Sequence, residues 1–214
     1  MAPRVEDFRL IADLGDVARI IEHDPKVARD LIFGRDAETR VVRAGYRHPR
    51  FGHVILEYLL NEPGDRHPVA VATSAEALGL PIELWTEDDH RQGRQFADQS
   101  RELLREVVAR TDPLYGGIGV EFGLPTPTEL RAGRVNFPTE LYVSRALLGR
   151  NTLAVSRLEA AYGDGDIDDW EDGRFYACWT PFVQHETQKN DYAAVTQESR
   201  AALSEILQSS HVAE

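Results

Sequence analysis

The chain of 214 residues carries 24 lysines and arginines against 36 aspartates and glutamates, a formal net charge of −12 with a pI near 5.0. No apolar run reaches the roughly 18 residues that a membrane helix needs. A single cysteine, Cys178, has no partner for an intramolecular disulfide or thiolate metal cluster, and the negative balance argues against gripping phosphate backbones.

Two short helices open the chain. Val17, Ile20 and Ile21 are helically spaced after Asp13. Asp24 as N-cap and Pro25 at the first helical position start the second, which carries Val27, Leu31 and Ile32 to a stop at Gly34. Residues 39–61 read as a β-hairpin. Val42, Ala44 and Tyr46 alternate with polar neighbours, as do Val54, Leu56, Tyr58 and Leu60, about a turn at residues 48–52. A third strand is predicted at Val69–Thr73, a turn capped by Ser74, and an extended piece at Pro81–Trp85.

Thr86-Glu87-Asp88-Asp89 approximates a capping box, with Asp where Glu is usual. It opens the longest helix, to about Arg110, with Phe96, Ser100, Leu103, Leu104, Val107 and Val108 as its buried stripe. A strand at Tyr115–Leu124 follows, then a segment to Pro138 that reads either as a lid or as a short helix starting at Thr128. Next come a strand at Thr139–Leu147, a helix at Thr152–Tyr162, an acidic loop and a strand at Arg174–Thr180. The closing helix, residues 191–208, turns Tyr192, Val195, Ser199, Leu203 and Ile206 inward. The order and the short connections predict an α+β fold: a single domain, mainly antiparallel sheet with helices packed on one face. Residues 1–36 form its helical segment and 37–214 its sheet-and-helix body.

Familiar catalytic signatures are missing. There is no G-x-G-x-x-G opening a helix, no P-loop, no H-E-x-x-H and no G-x-S-x-G. The seven histidines stand at 23, 48, 53, 67, 90, 185 and 211, with no helical i,i+3 or i,i+4 pair for a metal. No metal and no cofactor is expected. Cys178, between Ala177 and Trp179 in a strand, reads as a buried structural residue rather than a nucleophile.

Three features carry chemistry. Strand alternation over Tyr115–Leu124 leaves Gly117, Gly119 and Gly123 on one face with Glu121, a shallow bay in which that carboxylate acts as ligand or as general acid/base. Across the hairpin, the turn places Arg43 opposite Glu57 and Arg47 opposite His53, a mixed face suited to an anion. Finally, Asp164, Asp166, Asp168, Asp169, Trp170, Glu171 and Asp172 crowd into one stretch. It opens like a calcium loop, but Asp169 stands at the glycine position and Phe175 at the closing glutamate, so the pattern fails. Trp170 reads there as an aromatic anchor ringed by carboxylates that attract a basic partner.

Charge sharpens that last feature. Residues 1–50 hold 10 basic and 9 acidic side chains, residues 51–150 hold 10 and 15, and residues 151–214 hold 4 and 12. Two readings follow. The first is an acidic protein-binding module, an inhibitor or immunity-type protein masking a basic protein. The second is a small cofactor-independent isomerase, cyclase or lyase on a polar metabolite, with Glu121 as acid/base, Arg43 and Arg47 as anion anchors, and Tyr142 and Tyr176 as donors. With Glu6 and Asp7 where a secretory signal would turn apolar, the expected setting is cytoplasmic, with neither nucleic acid nor membrane as partner.

Overall fold

The computed structural model describes residues 9–10, 41–59, 69–73, 86–120, 124–133, 137–162, 166–178, 181–182 and 192–209. The two opening helices, the turn after Ser74 and the piece at residues 81–85 lie outside them. The chain divides into two compact units, residues 1–74 and 75–214.

In the first unit, β1 (Arg9–Leu10), β2 (Val41–His48), β3 (Gly52–Leu59) and β4 (Val69–Thr73) make an antiparallel sheet in sequence order. The hairpin has the predicted register: Arg43 faces Glu57, Gly45 faces Ile55 and Arg47 faces His53. Its turn needs Gly52, whose φ of +68° disfavours side chains. The His48 Nδ1 accepts the N–H of Arg50 at 3.2 Å, tying the turn from inside. Val54 is fully buried while its neighbour Ile55 is 45% exposed, so one face of the sheet is core and the other looks outward.

The second unit holds α1 (Glu87–Thr111), β5 (Tyr115–Ile118), α2 (Pro127–Ala132), β6 (Glu140–Ser144), α3 (Arg145–Leu148), α4 (Thr152–Tyr162), β7 (Asp166–Trp170), β8 (Gly173–Ala177) and α5 (Tyr192–Gln208). Its four strands run antiparallel in the order β5-β6-β8-β7. The fold class is α+β, as the pattern predicts.

Local chemistry sets the helix ends. Asp89 does the work of the usual glutamate: its carboxylate accepts the Thr86 N–H at 2.9 Å while Thr86 Oγ accepts the Asp89 N–H at 3.3 Å. Asp112, in the left-handed conformation at φ 44°, closes the same helix. A second capping box, Thr126 with Glu129, starts α2 at Pro127, one residue before the predicted start. Leu130 is fully buried, so the segment after β5 is a packed helix and not a lid there. Strand β6 stops at Ser144, and α3 takes over residues expected to continue it.

All five residues of β6 are buried, so neither face of this sheet meets water at its centre. On one face Tyr115, Leu141, Val143, Tyr176 and Cys178 pack with Leu130, Leu147, Leu158, Leu203 and Ile206 from α2 to α5. Each such leucine contributes about 1.5–3 kcal/mol by leaving water. In addition to that helical layer, α1 covers the other face, where Ala97, Leu104 and Val108 meet Ile118, Tyr142, Trp170, Phe175 and Ala177. Of the predicted stripe of α1, Val108 is buried and Phe96 and Leu104 pack against the same cluster, whereas Ser100, Leu103 and Val107 are only half-buried and the unpredicted Gly93 and Ala97 are buried. Small residues let the helix approach the aromatic side chains beneath it. The closing helix turns Val195, Ser199, Leu203 and Ile206 inward as its spacing predicts.

Candidate functional site

Backbone register sets Arg43, Arg47, His53 and Glu57 on the outward face of the first unit, the face shared by exposed Ile55 and Ala72, and it adds Arg9 opposite Arg47. Their side chains lie outside the described residues, as does the whole of Glu121. Strand β5 ends at Ile118, so of the predicted bay it contains Gly117 alone. At Gly117 the bay is already filled: a Cβ there would run into Pro138 and the Glu140 carbonyl.

Tyr142 and Tyr176 do not share a site. Tyr142 sits opposite Phe175 and faces α1, whereas Tyr176 sits opposite Leu141 and faces the other helical layer. Alternation along two paired strands forces this separation. The Tyr142 hydroxyl donates to the Asp172 carbonyl at 2.9 Å. Burial pushes both phenols up to about 12, so neither is set up to release a proton near neutrality.

Trp170 is not an exposed anchor. It is 4% exposed, stacked on Phe175 at 5.1 Å and 2°, and on Tyr142 at 5.4 Å and 24°. The guanidinium of Arg105 lies 4.9 Å from its ring centre, and its indole N–H donates to Asp168 at 2.8 Å. Two causes put it there. Strand alternation puts Asp168 and Trp170 on the face beneath α1, and Arg105 of that helix pairs with the first and lies over the ring of the second. A Cβ on Gly173 would collide with the Val143 carbonyl and the Tyr142 ring.

The acidic stretch is therefore a hairpin, not an irregular loop. Asp164 and the Asp166 side chain lie outside the described residues. Asp168 pairs with Arg105 at 3.0 Å, and Asp169 pairs at 2.6 Å with Arg174, which also binds Glu159 on α4. Its hydrogen bond to Asp169 holds Arg174 firmly cationic. At the turn, the Arg145 N–H donates to the Asp172 carbonyl at 2.8 Å and its guanidinium to the Glu171 carbonyl at 2.8 Å. The hairpin is thus braced by Arg105 on the face beneath α1, by Arg174 on the opposite face and by Arg145 at the turn. Facing solvent are Ile167 at 39% exposure, the Asp169 side chain at 78%, Glu171 and Asp172. This ribbon belongs to the unit carrying 24 acidic against 13 basic residues, while residues 1–74 carry 12 against 11.

A buried polar network escapes sequence reasoning. Glu140 accepts from Thr139 Oγ at 2.7 Å and from the Cys178 N–H at 3.4 Å, while Tyr162 donates to the Thr139 carbonyl at 2.7 Å and accepts from Ser199 at 3.4 Å. Burial, reinforced by the nearby Glu140, pushes the Cys178 thiol up to about 12. That leaves it a structural residue. Also missed are Arg101 and Arg105, one helical turn apart on α1. Arg101 lies 5.2 Å from the Phe175 ring centre and donates to the Phe182 carbonyl. Their i,i+4 spacing beside Ala97 and Val108 is the signal the sequence offers for them.

No group of three or more His, Cys, Asp or Glu that could hold a metal ion occurs among the described residues. None of the described helices is long and apolar enough to cross a membrane. No family model, no curated protein and no solved structure matches the chain.

Proposed function

We propose that this protein is an acidic binding module of inhibitor or immunity type, which masks a basic partner protein through the β7–β8 hairpin. The observation that carries the reading is a ribbon braced by Arg105 on one face, Arg174 on the other and Arg145 at the turn, with Asp169, Glu171, Asp172 and Ile167 still exposed to solvent. Such an element is ordered before it binds, which removes much of the entropy cost of association. The acidic field around it speeds capture of a cationic surface. Trp170 acts as the backing of this surface rather than as a contact. The cytoplasm belongs to the same reading, supported by the single buried cysteine.

Affinity capture from the source cells tests it, with captured proteins identified by mass. The expected result is a basic protein retained by the native chain at low salt, released as salt rises, and lost with the triple variant Asp169→Asn, Glu171→Gln, Asp172→Asn. Retention of the same proteins by native chain and variant alike, at low and high salt, overturns the reading.

A further inference from the structure

We infer that β7 is an acceptor edge, on which a basic extended segment of the partner adds as a further antiparallel or parallel strand. The inference rests on the reading above and specifies how the hairpin binds. Strand β7 ends the order β5-β6-β8-β7, and among the described residues it is paired with β8 alone. Its turn has two residues, Glu171 and Asp172, between the paired Trp170 and Gly173. In a hairpin closed this way the flanking pair exchanges both backbone bonds, and bonded and non-bonded pairs then alternate. Trp170 and Asp168 therefore spend their N–H and C=O groups on β8. Those of Ile167 and Asp169 point away from it.

The same two residues expose their side chains, Ile167 at 39% and Asp169 at 78%. An incoming strand would meet donors and acceptors that no described strand pairs with, one aliphatic contact, and the Asp169 carboxylate, still 78% exposed beside its partner Arg174. Main-chain bonds supply affinity in such additions, and side chains at alternate positions supply specificity. Charge decides the occupant. A second copy would bring Asp166-Ile167-Asp168-Asp169 against itself, and facing like charges oppose that pairing. Carboxylates on an edge suppress self-association. They favour a segment in which lysine or arginine alternates with an aliphatic residue.

The probe is an acetylated, fluorescein-labelled hexapeptide of alternating lysine and valine, with two controls: the peptide N-methylated at every residue and its glutamate–valine counterpart. Binding is followed by anisotropy, and backbone hydrogen exchange of the full chain by NMR. The lysine–valine peptide should slow exchange at Ile167 and Asp169 by about tenfold or more at saturation. The N-methylated and acidic peptides should bind at least about tenfold more weakly. Equal affinity for the methylated and unmethylated basic peptides overturns strand addition while leaving charge-driven capture of a basic protein intact. Unchanged exchange at Ile167 and Asp169 under saturating basic peptide overturns it as well. Failure of the capture experiment, by contrast, removes the binding role itself.

Discussion

Trp170 and Gly173 face each other across the hairpin in closely packed surroundings. The indole stacks on Phe175 and Tyr142, and across from it Gly173 has no room for a side chain because the Val143 carbonyl and the Tyr142 ring occupy the space a methyl would need. Gly173→Ala should cost about 1–3 kcal/mol by overpacking, read as a lower urea midpoint. Trp170→Ala should cost about 3–5 kcal/mol, because the emptied site is walled by rings that cannot collapse into it. A Trp170→Ala chain as stable as the native one would show that the stack is not structural. The buried acids act at high pH. Cys178 ordinarily ionises near 9 and the tyrosines near 10, whereas in the fold Cys178, Tyr142 and Tyr176 are all pushed up to about 12. The unfolded chain loses these protons first, so stability is full below about pH 9 and falls as pH rises toward 12. Each group in its window contributes about 1.4 kcal/mol per pH unit. Denaturant titrations between pH 8 and 11 check the slope. A flat profile would place these groups in contact with water.

At the scale of elements, two capping boxes punctuate the second unit. Thr86→Ala should cost about 1 kcal/mol and fray the start of α1, and Thr126→Ala should do the same for α2. Hydrogen exchange at the amides of residues 88–90 and 128–130 resolves the two. The Thr86 hydroxyl and N–H hold the Asp89 carboxyl below its usual range, so this cap is intact above the ordinary carboxylate pKa and lost as pH falls through the lowered one. A box spans only four residues of chain, which makes Thr86–Asp89 legible in the sequence; the equally short Thr126–Glu129 box is hidden by the proline-rich run around it, where the helix start reads at Thr128. Helices α4 and α5 are legible for a similar reason: their apolar residues repeat at helical spacing and nothing else competes. The hairpin register of β2 and β3 follows from alternation about one turn.

The acidic ribbon is not legible in that way. Asp166-Ile167-Asp168-Asp169-Trp170 has too little apolar alternation to announce a strand, and its stability comes from arginines 5 to 63 residues away in sequence. The same holds for Glu140 and Cys178, which are 38 positions apart and meet only in the fold. The candidate site is therefore visible as a concentration of charge, but its solid side is not. Trp170 reads as a contact because its neighbours are charged; register turns it inward.

At the scale of the molecule, the division at Ser74 also divides the charge. Residues 1–74 carry 12 acidic and 11 basic groups, and residues 75–214 carry 24 and 13. Self-repulsion in the second unit destabilises its compact state and is screened over about 10 Å at 0.1 M salt. Thermal unfolding of that unit should therefore shift upward as sodium chloride is raised from about 0.02 to 0.5 M, while the same salt weakens capture of a basic partner. Calorimetry and the capture assay then move in opposite directions with one variable. A melting temperature that falls over this salt range would mean that the arginine pairs outweigh the excess carboxylates.

The two-residue turn at Glu171 and Asp172 also has a consequence in time. Strands β7 and β8 need only a short closure, and hairpins of this kind form in about 1–10 μs, whereas β6 must find β8 across α3, α4 and β7. The ribbon is thus the natural first piece of the sheet, and β6 docks onto an edge that already exists. Lengthening this turn should slow refolding more than it speeds unfolding, so the surface proposed to meet a partner is also the expected starting point of the fold.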